Sequence, residues 1–572
     1  MIRRWQRSLV IDSLFMGVVG AVAARVFSWL LDLVTRWSLH DFAGYVSPGL
    51  PNEGGVLQQD IGSHGLWLIP VIITAGGLIS GALVYWIAPE AEGHGTDTVV
   101  KAFHRLGGRI RARVTPLKIV TSALTIGTGG AAGREGPTAL FSAGIGSMYA
   151  GLTHRTPRER RLLVLIGCAA GLSAIFRSPI GTALFAIEVL YEDMEYEADA
   201  LLYTLISSIV AYTITGFFVD WQPLFQVPAG IRVTSLGAFI SYVGLGILSG
   251  VVGALLPNIF YGGRDLFHRL PIPPHFKPAL GALGVGLMAL GLPEILGGGY
   301  GWIQEAMDGR LALSLLLLLV VGKMLAFTLT VGSGGSGGVF APSLFIGAMT
   351  GGALAHLFHQ PPAPFVIVGM AAVFGSAGRV PIATLLMVTE MTGGYHLLAP
   401  AALGVSFAYL VQANLIRLLP RLPYASLYEA QVANRYHSPA HHADTLRHSL
   451  QYLAGAGRGD VRGGNVVGMF ERLIRRRTIA LPDGYILLSG KLRADSPCVG
   501  TMIKRSCLFA GRSGGDIIYL VRDGKGLRPY PTEILQVDDL IMVLAPEGDI
   551  DHLHGHLIIM DFHEEAGDPH GR

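Results

Sequence analysis

Several stretches of this 572-residue chain stay uncharged for longer than a soluble helix or strand needs. Segments 66–88, 201–219, 236–263 and 397–416 contain no Asp, Glu, Lys or Arg. Each reaches the ~20 residues that carry an α-helix across a hydrocarbon core. Between 324 and 378 there is again no formal charge. Gly and Pro interrupt that stretch, so it reads as several short helices joined inside a membrane body. Charged residues make up 15% of the chain, against about a quarter in an average soluble domain. The class is therefore an all-α polytopic membrane protein. A net charge of +3 gives no footing for nucleic acid; the lipid bilayer is the expected surrounding.

The first apolar run follows Met1-Ile-Arg-Arg-Trp-Gln-Arg7 and ends in Ala21-Val-Ala-Ala24. A cleaved signal peptide looks similar, but with so many later spans the run is expected to remain as an uncleaved first helix. Its basic flank then places the N-terminus in the cytoplasm, in a multi-pass protein of the cell (inner) membrane. Charge density rises after about Arg417. Residues 1–430 are expected to form the membrane domain, 431–478 a linker rich in His and Arg, and 479–572 a small cytoplasmic α+β domain. In the last of these, runs such as Asp516-Ile-Ile-Tyr-Leu-Val521 alternate with turn signals. Cys168, Cys498 and Cys507 show no metal or CxxC spacing. Neither a metal site nor a disulfide framework is expected, and the exposed parts should face a reducing compartment.

The membrane domain repeats itself. Gly127-Thr-Gly-Gly-Ala-Ala-Gly-Arg-Glu-Gly-Pro137 lies over Gly332-Ser-Gly-Gly-Ser-Gly-Gly-Val-Phe-Ala-Pro342, with five of eleven positions identical at an offset of 205. Arg177-Ser-Pro-Ile-Gly-Thr-Ala-Leu-Phe-Ala-Ile-Glu188 matches Arg379-Val-Pro-Ile-Ala-Thr-Leu-Leu-Met-Val-Thr-Glu390 at an offset of 202. Two unrelated motifs recurring at nearly one offset indicate a duplicated half. Whether the halves are inverted depends on the parity of the helix count, which the residues leave open. Transporters built this way often place their substrate between the halves, on broken helices.

Each copy sets a glycine run before a proline and an apolar helix. That arrangement exposes a helix N-terminus to a ligand. The first N–H groups lack intrahelical partners, and the dipole adds about half a positive charge. At membrane depth bare amides cost several kcal/mol each unless something accepts them, and a dehydrated anion is a natural acceptor. The bland reading, glycines for close helix packing, does not account for the matched duplication.

At these residues the chain resembles the CLC family of chloride channels and chloride/proton exchangers. Gly133-Arg-Glu-Gly-Pro137 is similar to the signature holding a gating glutamate. Gly338-Val-Phe-Ala-Pro342 is similar to the second signature, whose amides line the central anion site. Pro423-Tyr424 follows the last apolar run, where the family carries a tyrosine whose hydroxyl touches that anion. The resemblance implies a CLC-type duplicated, inverted repeat with halves about 66–220 and 236–424. It also implies a homodimer with one anion pathway per subunit, chloride or a similar small anion as cargo, no cofactor and no catalytic residue. Glu135 would be the gate, occupying an outer anion site and leaving it when protonated. The anion-binding residues implied are Gly93, His94, Gly95, Gly133, Arg134, Gly136, Gly338, Val339, Phe340, Ala341 and Tyr424. Arg134 would attract anions, or pair with Glu135 or a lipid headgroup.

Two departures bear on function. The family's first signature often has a serine whose hydroxyl touches the anion; here Gly93-His-Gly-Thr-Asp97 puts His94 there. A neutral imidazole donates one N–H, and a protonated one binds an anion more strongly. Exchangers commonly carry an inner proton-transfer glutamate; here Val189 takes that position, after Glu188. Valine carries no proton, so the residues lean to a passive, voltage- or pH-gated chloride channel, with a chloride/proton antiporter as the alternative. Glu188 and its repeat mate Glu390 read as structural helix-end acids. The C-terminal segment resembles a TrkA-C domain, through Ser496-Pro-Cys-Val-Gly500, Ile517-Ile-Tyr-Leu-Val-Arg-Asp-Gly524 and Leu535-Gln-Val-Asp-Asp-Leu-Ile541. That implies a regulatory unit taking a small ligand, or a dimerisation module. A potassium-transport protein is a distant rival, since Thr330-Val-Gly-Ser-Gly334 echoes a potassium filter. Two copies rather than four, each leading into a helix N-terminus that repels cations, argue against it. A membrane enzyme using Glu135 would need a partner group beside it, and the sequence shows no such partner apart from distant His94.

Overall fold

A computed structural model describes residues 4–63, 65–228, 236–441, 479–481, 485–503, 508, 516–522, 525–527 and 533–559. The chain divides into two units, Met1–Arg435 and Tyr436–Arg572. The expected linker falls mostly at 442–478, outside the described residues.

The first unit contains sixteen α-helices among the described residues. They are α1 (Arg4–Thr35), α2 (Ile69–Ile87), α3 (Thr96–Arg105), α4 (Val114–Gly127), α5 (Glu135–Leu152), α6 (Pro157–Phe176), α7 (Pro179–Glu188), α8 (Ala198–Val219), α9 (Leu236–Arg269), α10 (Lys277–Ala289), α11 (Tyr300–Met307), α12 (Leu313–Val331), α13 (Phe340–Phe358), α14 (Pro362–Ala377), α15 (Pro381–Thr392) and α16 (Leu398–Leu418). Seven of the described helices are long and apolar enough to cross a membrane. The uncharged stretch 324–378 resolves into the end of α12, then α13 and α14. A short hairpin, β1 (Tyr45–Val46) with β2 (Asp60–Ile61), lies in the loop after α1.

Local chemistry sets many of these boundaries. Proline opens α6, α7, α14 and α15, where its missing N–H costs nothing. Thr156 and Glu159 close a reciprocal capping box on α6. Gly393, in the left-handed conformation, ends α15.

The packing repeats with a period of eight helices. α1 packs on α4, α5, α6 and α8; eight helices later α9 packs on α12, α13, α14 and α16. α2 contacts its own mate α10, and α7 its mate α15, so these pairs lie where the halves meet. Backbone detail repeats as well: Arg177 and Arg379, equivalent in the repeat, both have positive φ, 54° and 57°. The expected first half, 66–220, therefore omits one helix: α1 belongs to it as the counterpart of α9. α1 turns Ile11, Leu14, Phe15, Val18, Val22 and Val26 outward, the helical stripe of a lipid-facing span. α13 and α14 are buried almost throughout and form the apolar interior of the second half.

In the second unit, β3 (Ile479–Leu481), β4 (Tyr485–Leu492), β5 (Asp516–Arg522), β6 (Lys525–Leu527), β7 (Leu540–Pro546) and β8 (Leu557–Ile559) form an antiparallel sheet. Its order is β3-β4-β7-β5-β6, with β8 beside β4. Helix α17 (Ile550–His556) completes an α+β arrangement. Ile541, Val543 and Ala545 alternate into a core with Leu488, Ile517 and Leu553, the period of a strand buried on one face. Cys498 is disulfide-bonded, against the expectation from cysteine count and spacing.

A candidate anion site between the two halves

The two glycine-rich segments meet head to head. The Gly133 N–H donates to the Gly338 carbonyl at 2.9 Å, and the Gly338 N–H donates to the Gly133 carbonyl at 2.6 Å. They form an isolated antiparallel bridge. Gly133 and Gly338 are equivalent in the repeat, so the halves join in opposite sense at this reciprocal contact. Side chains would forbid it. A Cβ on Gly338 would stand 2.7 Å from the Gly136 nitrogen and 2.9 Å from the Gly133 oxygen.

Just beyond the bridge, α5 opens at Glu135 and α13 at Phe340. Their first amides lack intrahelical partners and their dipoles converge on one place. Glu135 is 1% exposed. Its Oε1 accepts a hydrogen bond from the Tyr300 hydroxyl. Its Oε2 is buried without a hydrogen-bond partner and lies so close over Gly133 that a methyl group there would collide with it, beside the Ala341 nitrogen. The carboxylate thus lies at the amide ends of the two helices. Glu135, Gly136, Val339, Phe340, Thr96, Phe185 and Tyr428 all face one small cavity. The Phe340 ring packs on Phe176 and Phe374, both at 4.4 Å between centroids, making the surroundings apolar.

The third loop, Gly93–Gly95, is brought in by a buried lysine. Lys118, in α4 and fully buried, donates from Nζ to the carbonyls of Ala91 at 2.9 Å and Gly93 at 2.6 Å. The repeat reproduces this clamp: Lys323, in α12, donates to Ile295 and Gly297, both at 2.7 Å. The first clamp holds the loop entering α3, the second the loop entering α11, whose first residue is Tyr300. The Gly93 carbonyl accepts from the Gly337 N–H at 3.3 Å, and the His94 carbonyl packs against Gly136. Sequence reasoning missed Lys118, Lys323 and Tyr300.

His94 is 6% exposed. Its Nε2 lies 3.0 Å from Asp97 Oδ2, while its Nδ1 is buried with no hydrogen-bond partner. His94 and Asp97 line a cavity of about 280 Å³ with Glu90, Glu92, Arg264 and His268. A separate cavity of about 260 Å³ is lined by Arg134, Arg177, Glu53 and Asp32.

Two expected site residues are placed differently. Tyr424 is not at the site: its hydroxyl donates to Asp265 at 2.7 Å and its main chain bonds Asn258. Tyr428, four residues on, is the inward tyrosine, fully buried against Phe185 and Phe374 and 5.7 Å from the His94 ring. Arg134 is not a free cation either; it pairs with Glu53 at 2.6 Å and lies over the Tyr300 ring at 5.3 Å. Glu188 and Glu390 stand at the ends of α7 and α15, and each caps the N-terminus of the other's helix. Glu188 accepts from the N–H groups of Ile382 and Ala383, and Glu390 from those of Ile180 and Gly181 and from the Ser178 hydroxyl.

Residues 76–413 match the family model described as voltage gated chloride channel. The chain belongs to the CLC family. It is therefore an anion-transport protein of the membrane rather than an enzyme. Among curated relatives it is 31% identical over 412 residues to the H(+)/Cl(-) exchange transporter ClcA of Vibrio cholerae, covering 69% of this chain and 84% of the relative. It is 30% identical over 404 residues to a ClcB-like chloride channel protein of Ralstonia nicotianae, covering 69% and 91%. Among solved structures it resembles a slow cyanobacterial Cl-/H+ antiporter at 25% identity and a TM-score of 0.62, covering 71% of this chain and 94% of that one. The family match ends before the C-terminal unit and leaves its likeness to a TrkA-C domain untouched.

Proposed function

We propose that this CLC protein exchanges chloride, or a similar small anion, for protons across the cell membrane, with Glu135 as the gate. The observation that carries the reading is the Glu135 carboxylate itself, seated among the amide ends of α5 and α13 and held by Tyr300. Ionised, it competes with the anion for the same donors; protonated, it loses that competition and the site is freed. Gly133, Gly136, Val339, Phe340, Ala341, the Gly93–Gly95 loop and Tyr428 form the anion site, with Arg134 a neighbour tied to Glu53. The expectation leaned to a passive channel because Val189 replaces an acid. The exchanger and antiporter named among the similar proteins favour the alternative. A channel remains the second reading because Val189, at the C-terminal end of α7, is buried and apolar.

We take the protein as a homodimer with both termini in the cytoplasm, following the family resemblance and the basic N-terminal flank. The C-terminal unit would be a TrkA-C-like regulatory module. The test is purified full-length protein in liposomes, with chloride efflux and proton uptake recorded together. An outward chloride gradient should drive protons inward against their own gradient. Chloride movement without any proton movement would favour the channel.

A further inference from the structure

His94 is an odd occupant for an anion site. A buried polar nitrogen without a partner costs about 1–3 kcal/mol, yet Nδ1 of His94 is such an atom, in a ring whose other nitrogen is already held by Asp97 at 3.0 Å. An imidazole fixed through one nitrogen by a carboxylate is oriented to gain and release a proton at the other. The surroundings supply a route on both sides. His94 and Asp97 line the 280 Å³ cavity, which is large enough for water. On the other side, the ring of Tyr428 lies 5.7 Å from His94 and also lines the small cavity around Glu135. The His94 main chain packs directly against Gly136, the residue after the gate.

We propose that His94, oriented by Asp97, is the inner proton-binding site that supplies Glu135, in place of the acid missing at Val189. This deepens the exchanger reading and rests on it. A hydronium ion in the cavity gives up a proton, its O–H bond breaking as an N–H bond forms at Nδ1, which leaves water and an imidazolium whose Nε2–H stays on Asp97. The same N–H bond then breaks as the proton passes to the Glu135 carboxylate, where an O–H bond forms, and the ring returns to neutral. While charged, the ring also favours an anion beside it, so proton and anion loading are coupled in sign.

The charged and titratable groups around His94 suit this role. Asp97 is its neighbour on α3, and Glu90 and Glu92 precede it in the loop. Glu90 is paired with Arg111 at 3.0 Å. From α9 come Tyr261, Arg264 and His268, with Arg264 held by Glu429 at 2.5 Å. From α4, Lys118 is spent on main-chain carbonyls. The nearest charge to the ring is therefore the Asp97 carboxylate.

The test measures the proton-to-chloride ratio from reversal potentials of the full chain in liposomes under opposing gradients. The ratio reports coupling, whatever the size of the remaining flux. We expect His94→Gln to lose proton coupling, so that its reversal potential moves to that of chloride alone. Asp97→Asn should lower the ratio, and Val189→Glu added to His94→Gln should bring coupling back. A wild-type ratio in His94→Gln overturns the proposal and leaves His94 an anion ligand. If His94→Gln carries no flux, Asp97→Asn decides: a lowered ratio supports the relay and an unchanged one overturns it. Wild-type protein without coupling would sink the exchanger reading itself, together with this relay, whereas coupling that persists in both variants sinks the relay alone.

Discussion

Replacing Tyr300 by phenylalanine removes one hydroxyl and leaves the rest of the gate's surroundings in place. The ring still packs 6.0 Å from Phe225 and beneath the Arg134 guanidinium. What is lost is the hydrogen bond donated to Glu135 Oε1; Oε2 already has no partner. A hydrogen bond to a charged group contributes about 1.5–3 kcal/mol. Part of that is offset because the hydroxyl no longer has to be buried. The seated carboxylate should therefore be weakened by roughly 1.5 kcal/mol, about tenfold at 1.4 kcal/mol per decade. Because the carboxylate and the anion compete for one place, the same factor should appear in transport. In liposomes at alkaline pH, where the gate is ionised, Tyr300→Phe should raise chloride efflux about tenfold and lower the half-saturating chloride concentration by a similar factor. At acid pH the variant and the wild type should converge, since a protonated gate no longer competes. Wild-type efflux and chloride dependence at alkaline pH would refute the view that Tyr300 holds the gate closed.

Four further outcomes follow from the same geometry. Glu135→Ala should keep or raise anion flux while removing its pH dependence, as flux measured from acid to alkaline pH would show; a retained wild-type profile would mean that Glu135 is not the gate. Tyr428→Phe should change chloride affinity in binding calorimetry, whereas Tyr424→Phe should leave it within about twofold, the scatter expected of a surface contact. Lys118→Met removes the charged donor shared by the Ala91 and Gly93 carbonyls, at about 1.5–3 kcal/mol per hydrogen bond, and should lower both thermal stability and anion affinity. Lys323→Met should cost similar stability but act mainly on the pH response, because its loop carries Tyr300 rather than His94.

Much of the membrane unit was readable from residues because the duplication leaves marks. The glycine runs at 127 and 332, and the Arg-to-Glu segments ending at Glu188 and Glu390, located both the interface and its reciprocal caps. α1 was not recognised as the counterpart of α9, because lipid-facing helices share only an apolar stripe and no motif. Lys118 and Lys323 were findable: each is a charge within an apolar helix, and they stand 205 residues apart, the same offset as Gly133 and Gly338. Tyr300 carried no signal beyond following Gly297-Gly-Gly299. Tyr424 and Tyr428 could not be told apart by spacing, since the direction of the chain after α16 decides which ring turns inward. The channel reading rested on Val189 alone, and a single missing acid does not exclude a proton taking another route.

Main-chain amides of the two halves, rather than fixed cations, are proposed to hold the anion. The direct measurement is anomalous diffraction from crystals of the Glu135→Gln protein grown with bromide. A bromide peak is expected between the Gly133–Gly136 and Gly338–Ala341 segments, within hydrogen-bonding distance of their amides and close to Tyr428. Bromide bound instead against Arg134 or Arg177, with nothing between the two glycine segments, would contradict it.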